Sequence, residues 1–340
     1  MIDFRYHIVS IVSIFLALAV GILLGAGPLQ EDLGKTLSSQ VSTLRQEKTD
    51  LRNQLGQAQQ RLDADKEFAT DVTPALVTSR LGGRSIVIVT LPGADPDTVN
   101  ALTQVLTTSG ASVSGVVAVR QAWTDPAKSS FRDQLATSLA PVTAPASGAS
   151  AAPTTASTTG SSTAPTSGAP GGSLDARMGA LLAQSLVVSK LALAGRTNAA
   201  AVQTLAALKA ANLISFDADG PKFATLAVVV APTPDATRTV DLRAGDLSGW
   251  TAIARALDSA SSGATVVGPP ESAAGGGLVA AIRADQATAK LVSTVDDVDT
   301  AVGRIATVFA LREQMSGSVG QYGVASGASA VLPSLTAGGS

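Results

Sequence analysis

The sequence predicts a mixed α/β protein with an N-terminal transmembrane helix, a parallel coiled coil and one Rossmann-like α/β domain. Three observations lead to this fold class. Residues 8–26 form an apolar run without a charge, and residues 34–69 carry a heptad pattern of apolar positions. From residue 85 to residue 314, apolar strand-like segments alternate with helical ones, which is the pattern of a mostly parallel sheet covered on both faces.

The apolar run predicts a membrane anchor over residues 8–27, which leaves residues 1–7 as a cytoplasmic N-terminus. A helix of this length is about 28 Å long, close to the roughly 30 Å hydrocarbon core of a bilayer. A cleaved signal peptide is the alternative. It is disfavoured because the run is long, Arg5 is the one basic side chain before it, and Pro28 directly follows the small residues that could imitate a cleavage site.

Flanking charges indicate the orientation of the anchor. Arg5 and the terminal amine lie on one side, and Lys35 lies on the other together with Glu31 and Asp32. Positive charge favours the cytoplasmic side. We therefore expect a single-pass protein of the plasma membrane, with its C-terminal domain outside the cell.

Small residues recur every four positions along the anchor: Ser13, Ala17, Gly21 and Gly25. Such a stripe lets two membrane helices approach closely, so we predict a helix-packing surface there. The alternative is that Gly and Ala are simply common in membrane helices.

A coiled coil is predicted over residues 30–72 and is expected to end before Pro74, because the residue before a proline disfavours helix. Its seam consists of apolar residues at alternating spacings of four and three, with one lysine among them: Leu37, Val41, Leu44, Lys48, Leu51, Leu55, Ala58 and Leu62. The polar Lys48 at an a position can select a dimer and its register, and Glu47 can pair with Arg52 of a second copy. We expect a parallel homodimer; an amphipathic helix packed on its own domain is the alternative.

The α/β domain is predicted in two parts, residues 80–140 and 174–323, followed by a C-terminal tail at 324–340. Neither part has enough strands for a sheet of its own, so we expect one domain. Between the parts, residues 141–173 consist of Ala, Ser, Thr, Pro, Gly and a single Val. A segment with this composition cannot form a core and is predicted to be a disordered linker, either O-glycosylated or an unmodified spacer.

The expected strands are 85–91, 113–119, 223–231, 264–268 and 290–294. The expected helices are 95–109, 129–139, 174–190, 198–211, 246–259, one after Gly277 and 299–314. Asp95 or Asp97 is expected to cap the first of these helices and Asp299 the last. Active sites in open α/β sheets lie beyond the carboxyl ends of strands. Three such turns are notable, at residues 91–95, 268–277 and 294–297. The second matches no nucleotide-binding glycine motif, and Asp296 and Asp297 could cap a helix or bind a hard cation.

Composition limits the chemistry. The net charge of −2 and the absence of a basic patch argue against a nucleic-acid partner. The chain has no Cys, and its one His, His7, lies next to the membrane. We therefore expect no enzyme, no catalytic residues, no cofactor and no metal site.

Two segments resemble a known family. The opening MIDFRYHIVSIVSIFLALAVGILLGAGPL and the segment STVDDVDTAVGRIATVFALREQMSGSVGQYG at 293–323 are similar to the actinobacterial MctB family, labelled copper transport outer membrane proteins. The resemblance implies an envelope protein of a high-GC Gram-positive bacterium with a role in copper efflux or homeostasis, described as a channel in the mycobacterial outer membrane. A related corynebacterial member, SteB, implies instead an anchored partner that controls a peptidoglycan hydrolase during cell separation.

The residues support a role as an anchored partner better than a role as a copper channel. A copper conduit needs Met, His or Cys along its path, and the chain beyond the anchor offers two, Met178 and Met315. An outer-membrane pore is built from amphipathic strands in tandem, whereas here strands alternate with helices. We therefore expect a scaffold or regulator with an indirect link to copper. Its partners would be the lipid bilayer, a second copy and another envelope or cell-division protein; the alternative is a copper transporter or pore component.

Overall fold

A computed structural model describes residues 4–25, 29–139, 172–217 and 220–334 of the 340-residue chain. Its contacts divide the chain into two compact units, residues 1–67 and 68–340.

The first unit contains two long helices. Helix α1, Phe4–Gly25, is the one helix of the described chain that is long and apolar enough to cross a membrane, judged by length and composition. Helix α2, Leu29–Val77, begins in the first unit and ends in the second. Helix α2 was expected to end before Pro74. Pro74 instead lies inside the last turn of the helix, where its missing N–H removes little of the hydrogen bonding.

The second unit contains the remaining elements. Its helices are α3 (Pro96–Thr108), α4 (Ser129–Leu139), α5 (Leu174–Leu186), α6 (Ala199–Ala210), α7 (Val240–Ala260), α8 (Leu278–Ala284), α9 (Gln286–Ala289) and α10 (Ala301–Met315). Its strands are β1 (Ser85–Thr90), β2 (Ser112–Val119), β3 (Ile214–Phe216), β4 (Leu226–Val230), β5 (Ala264–Val267), β6 (Ser293–Val295) and β7 (Gln321–Tyr322).

The seven strands form one sheet in the order β3-β2-β1-β4-β5-β6-β7. All neighbours are parallel except β2 and β3, which are antiparallel. This confirms the predicted mixed α/β fold with a mostly parallel sheet. Strand β1 pairs with both β2 and β4. The chain therefore adds β2 and β3 on one side of β1 and then β4 to β7 on the other side.

The sheet is buried on both faces because its central strands, β1, β4 and β5, are mostly apolar and buried along almost their whole length. Val87 and Val89 of β1 pack into one core, against α5, α6, α7 and α8. Ile86 and Ile88 of the same strand pack into the other core, against α3 and α10. The carboxyl ends of the six parallel strands, which are β2, β1, β4, β5, β6 and β7, therefore meet at one edge of a sheet that is covered on both sides.

Most predicted elements are present with shifted ends. The helix expected over 174–190 ends at Leu186, because Val187 is extended and bridges Ala224. The helix expected from Asp246 begins at Val240. Asp299 was expected to cap α10, and this is wrong: Thr300 is the cap, and its Oγ1 accepts from the backbone N–H of Gly303 at 3.0 Å.

Several predictions fall outside the described residues. They are the first three residues of the cytoplasmic segment, the end of the anchor at 26–27, the linker over 141–171 and the tail over 335–340. Ser173, the last residue assigned to the linker, is described and caps α5, accepting from the N–H of Ala176 at 3.3 Å.

Candidate functional site

The predicted packing residues of the anchor all lie on α1 and are exposed. The hydroxyl of Ser13 donates to the carbonyl oxygen of Val9 at 2.8 Å, so this polar group is satisfied within the helix. A Cβ atom added at Gly21 or Gly25 would meet nothing within 4 Å. The stripe is thus a free surface of small residues on the described chain, and its role in packing stays a prediction.

The predicted seam lies on α2, and every one of its residues is exposed. Its leucines, which are Leu37, Leu44, Leu51, Leu55 and Leu62, are each between 61% and 69% exposed. A shallow groove of about 370 Å³ runs between Leu44, Leu51 and Leu55 and is bordered by Glu47, Lys48 and Arg52. The structure therefore places the predicted apolar and charged residues side by side on one helix surface.

In the turn after β1, the carboxylate of Asp95 occupies the backbone N–H groups that an anion would need. Asp95 accepts from the backbone N–H groups of Thr98 at 3.0 Å and Asp97 at 3.4 Å. Hydrogen bonds from the side chain and the backbone of Thr98 lower the pKa of Asp95 below its usual value. A phosphate would need the same N–H groups at the start of α3, so this turn lacks the free donors of a nucleotide site.

The glycine-rich turn at 268–277 is compact for steric reasons. A Cβ at Gly268 would lie 2.5 Å from Ser272 Oγ, and a Cβ at Gly277 would overlap the Ser272 carbonyl group. Ser272 itself is fully buried, and its hydroxyl donates to the Pro269 carbonyl at 2.6 Å. These glycines let the turn fold on itself, which accounts for them without a phosphate.

The two aspartates after β6 have different roles. Asp296 is buried and pairs with Arg283, whose Nη1 lies 2.7 Å from Asp296 Oδ2. Its other oxygen, Oδ1, accepts from the N–H groups of Val324 at 2.7 Å and Ala325 at 3.1 Å. Neither aspartate caps α10, so the expectation of a helix cap is wrong, and Asp296 instead fastens the segment that follows β7.

Asp297 is buried beside this pair, and its Oδ1 has no hydrogen-bond partner in the described part of the chain. Burial, with the charges of Asp296 and Asp299, raises the pKa of Asp297 to about 6. Among the described residues, no group of three or more His, Cys, Asp or Glu could hold a metal ion.

Sequence reasoning missed a polar network at the turn after β4. Asp246 of α7 is 2% exposed and accepts from the Thr124 hydroxyl and from Gln121 Nε2 at 3.0 Å. Arg238 adds an Nη2 hydrogen bond to Asp246 Oδ1 at 3.2 Å and an Nε contact to Oδ2 at 2.7 Å. A helical Asp in an otherwise apolar stripe was the available signal, and its partners are distant in sequence.

Fold and surface together define a class: an α/β protein with a mostly parallel sheet, one N-terminal apolar helix fit to cross a membrane, and a long second helix with an exposed apolar stripe. Within that class the chain belongs to the MctB family, because the family model "Copper transport outer membrane protein, MctB" matches residues 1–333. This confirms the resemblance seen in the sequence.

Curated relatives support the same assignment. A protein of Mycobacterium leprae (strain TN) named "Copper transporter MctB" is 29% identical over 347 residues, covering 97% of this chain and 99% of the relative. Proteins with the same name from Mycobacterium bovis (strain ATCC BAA-935 / AF2122/97) and Mycobacterium tuberculosis (strain ATCC 25618 / H37Rv) are 30% identical over 345 residues, 98% of this chain and 100% of each relative. The chain is therefore similar to copper-transport proteins along its whole length.

Proposed function

We propose that this protein is a single-pass envelope protein that dimerises through α2 and acts in copper homeostasis as a scaffold or regulator. The observation that carries the proposal is the exposed leucine stripe of α2, which follows one apolar helix. In this view the protein is a platform tethered to the plasma membrane, and its α/β domain is presented outside the cell.

The stripe favours a second copy as the partner of α2. Leucines repeated at heptad spacing are costly in water and are typically covered by another helix. Two copies anchored by α1 in one membrane would meet in parallel, and Glu47 of one copy would then face Arg52 of the other. Gly21 and Gly25 would let the anchors approach as well.

The α/β domain supports a binding role. Its strand order from β3 to β6 is the order of the Rossmann-like folds, in which ligands bind beyond the carboxyl ends of the strands. We propose that this domain is Rossmann-like and meets another envelope or cell-division protein. Control of a peptidoglycan hydrolase during cell separation is one such role.

The link to copper rests on the family description and on the names of the relatives. The residues of this chain favour an indirect role in copper homeostasis. Cu(I) prefers thiolate, thioether and imidazole ligands. The chain has no Cys and one His, His7. Met178 is fully buried in the apolar core, and Met315 is half-buried at the end of α10. We infer that loss of the protein alters copper tolerance through envelope permeability or assembly.

The second candidate function is a copper transporter or pore component, which the names of the mycobacterial relatives favour. Purified full-length protein in planar lipid bilayers separates the two functions. The scaffold predicts no reproducible conductance and no tight stoichiometric site in calorimetric titrations with Cu(I) and Cu(II). Reproducible channels would establish the second candidate.

Disulfide trapping in native membranes tests the dimer. Because the chain has no Cys, an Ala58→Cys substitution at a seam position reports contact between two copies. We expect a cross-linked dimer with Ala58→Cys and none with Gln60→Cys, which lies on the opposite side of the helix. Adding Leu44→Lys and Leu51→Lys should abolish the cross-link.

The matched control adds the same two charges away from the seam, with Gln46→Lys and Asn53→Lys. This variant should still cross-link through Ala58→Cys. If the seam lysines leave the cross-link intact, the seam is wrongly assigned.

A further inference from the structure

A small cavity of about 200 Å³ lies where the sheet reverses its strand order, beyond the carboxyl ends of β1 and β4. Pro92 and Gly93 of the turn after β1 form one wall, and residues 232–235 after β4 form another. In open α/β sheets this crevice is the place where ligands bind. Its volume is below the roughly 300 Å³ of the smallest pockets for drug-sized ligands, so a small molecule fits it.

Two arginines line the cavity, and each keeps donors that have no protein acceptor among the described residues. Arg243, in the first turns of α7, is half-buried and makes no side-chain hydrogen bond or ion pair within the described residues. Arg238 contacts Asp246 through Nε and Nη2, and no acceptor for its Nη1 is found in the described part of the chain. An arginine has five N–H donors, so both guanidinium groups keep donors for a ligand.

A third unpaired donor belongs to Trp250, which is part of the same lining. Trp250 is about nine-tenths buried, and its indole N–H has no hydrogen-bond partner within the described chain. A buried donor without an acceptor is costly unless a ligand or water completes it.

Both carboxylates of the cavity lining already interact with protein groups. Asp246 Oδ1 accepts from Thr124, Gln121 and Arg238, and Oδ2 lies against the Arg238 guanidinium. At the edge, Asp235 Oδ1 accepts from the N–H and the hydroxyl of Thr237, at 2.8 and 2.6 Å. Each carboxylate is thus engaged by a protein group, whereas Arg243 and Trp250 keep side-chain donors that the acceptors of a ligand would complete.

The glycine-rich turn contributes the remaining wall. Gly276 has a φ of +90°, and a Cβ there would lie 3.7 Å from an Arg243 guanidinium nitrogen. Glycine is favoured at this backbone conformation because it has no side chain. The turn can therefore lie directly against the arginine and help to enclose the cavity.

We propose that this cavity binds a small oxyanion, a carboxylate or phosphate group, through Arg243, the free edge of Arg238 and the Trp250 indole N–H. Arginine matches these anions because its planar donors meet two oxygens at once. Three proline rings and Leu247 in the lining accommodate a short apolar part of the ligand. Asp246 is a positioning residue, since its ion pair holds Arg238 in place.

Tryptophan fluorescence of the full-length protein in detergent micelles provides the test. The chain has two tryptophans, Trp123 and Trp250, and Trp250 lines the cavity. Sodium phosphate and sodium succinate serve as separate probes, and sodium chloride at matched ionic strength is the reference. We expect a saturable fluorescence change with at least one probe and none with chloride; the probe that binds identifies the phosphate or the carboxylate class.

Variants test whether Arg243 is responsible for the fluorescence change. Arg243→Gln should weaken binding about tenfold or more, because it removes a charge-assisted contact, and Arg243→Lys should recover part of the affinity. Arg196→Gln, at an exposed position outside the cavity lining, should bind like the unchanged protein. Urea unfolding followed by the same fluorescence verifies that each variant is folded.

Two results would overturn the proposal: no saturable response to either probe, or equal binding by folded Arg243→Gln and Arg243→Lys variants and the unchanged protein. The proposal does not depend on dimerisation through α2. The same titration on the variant with Leu44→Lys and Leu51→Lys should give unchanged binding, so failure of the dimer and failure of the cavity are distinguishable.

Discussion

Arg283 and Asp296 form a buried ion pair, with Nη1 2.7 Å from Oδ2 and side chains that are 6% and 0% exposed. The same guanidinium donates through Nη2 to the Tyr322 carbonyl at 2.7 Å and through Nε to Thr294 Oγ1 at 2.9 Å. Asp296 holds the N–H groups of Val324 and Ala325. The pair therefore joins α8, the end of β6 and the segment after β7.

Asp296→Asn should destabilise the α/β domain by about 3–5 kcal/mol, because it leaves the Arg283 charge buried without a partner. The amide can still accept from the backbone, so the change isolates the charge. Urea unfolding monitored by Trp123 and Trp250 measures the effect. Glu271→Gln, an exposed carboxylate in a neighbouring turn, is the control and should change stability by less than about 0.5 kcal/mol. Equal effects of the two substitutions would show that the ion pair is unimportant.

Asp297 makes stability depend on pH. Burial and the nearby charges of Asp296 and Asp299 raise its pKa to about 6, above the value of about 4 in an unfolded chain. Between these two values the native state binds more protons than the unfolded state, so this group's contribution to stability falls as pH rises. The stability of Asp297→Asn relative to the unchanged protein should therefore increase from about pH 4 to about pH 6 and then level off.

Urea unfolding at intervals of one pH unit measures this difference. A difference that is constant with pH would contradict the assignment to Asp297. Asp235→Asn is a control of opposite sign, because hydrogen bonds from Thr237 lower the pKa of Asp235. That variant should lose stability relative to the unchanged protein as pH rises through the ordinary range of an aspartate, near 4.

Local sequence pattern was enough to predict the central elements of the sheet. The segment around β4 is apolar at every position, and β1 is almost as apolar, so their burial follows from composition. The edge strands were missed because β3 has three residues and β7 has two, too few for a periodic signal. Their positions depend on neighbouring strands.

The candidate sites could be predicted less well because their partners are far apart in sequence. Asp246 accepts from Thr124 and Gln121, which precede it by 122 and 125 positions. Similarly, Arg283 meets the Tyr322 carbonyl 39 positions later. A single sequence contains no signal for such pairs, whereas the seam of α2 was visible because its residues recur at short, regular intervals.

Lys48 lies at an a position of the proposed coil, between Leu44 and Leu51, and is exposed. A polar residue in a seam lowers stability but selects a dimer in one register. Lys48→Leu should therefore raise the thermal unfolding midpoint of the coil, measured by helical circular dichroism, and allow higher oligomers in cross-linking. Gln46→Leu, on the face opposite the seam, should change neither. A lower midpoint for Lys48→Leu would argue that Lys48 makes a specific pairing.

Two helical glycines provide a matched test of packing in the α/β domain. Gly179 of α5 is buried against α7, and a Cβ there would lie 2.9 Å from the Ala252 carbonyl oxygen. Gly245 of α7 is exposed, and a Cβ there would meet nothing within 4 Å. Alanine favours a helix over glycine by up to about 1 kcal/mol, so Gly245→Ala should stabilise the domain by that amount. Gly179→Ala should instead destabilise it by about 1–3 kcal/mol, because the two helices must move apart.

Urea unfolding of the two variants measures the expected increase and the expected decrease in the free energy of unfolding in one experiment. The substitution is chemically identical and both glycines are helical, so a difference between the variants reports the α5–α7 contact alone. If Gly179→Ala is as stable as Gly245→Ala, these helices have room for a methyl group and their close approach does not hold the domain together. We expect the opposite, because Leu182 of α5 and Ile253 of α7 belong to the same fully buried core and little free space is left between them.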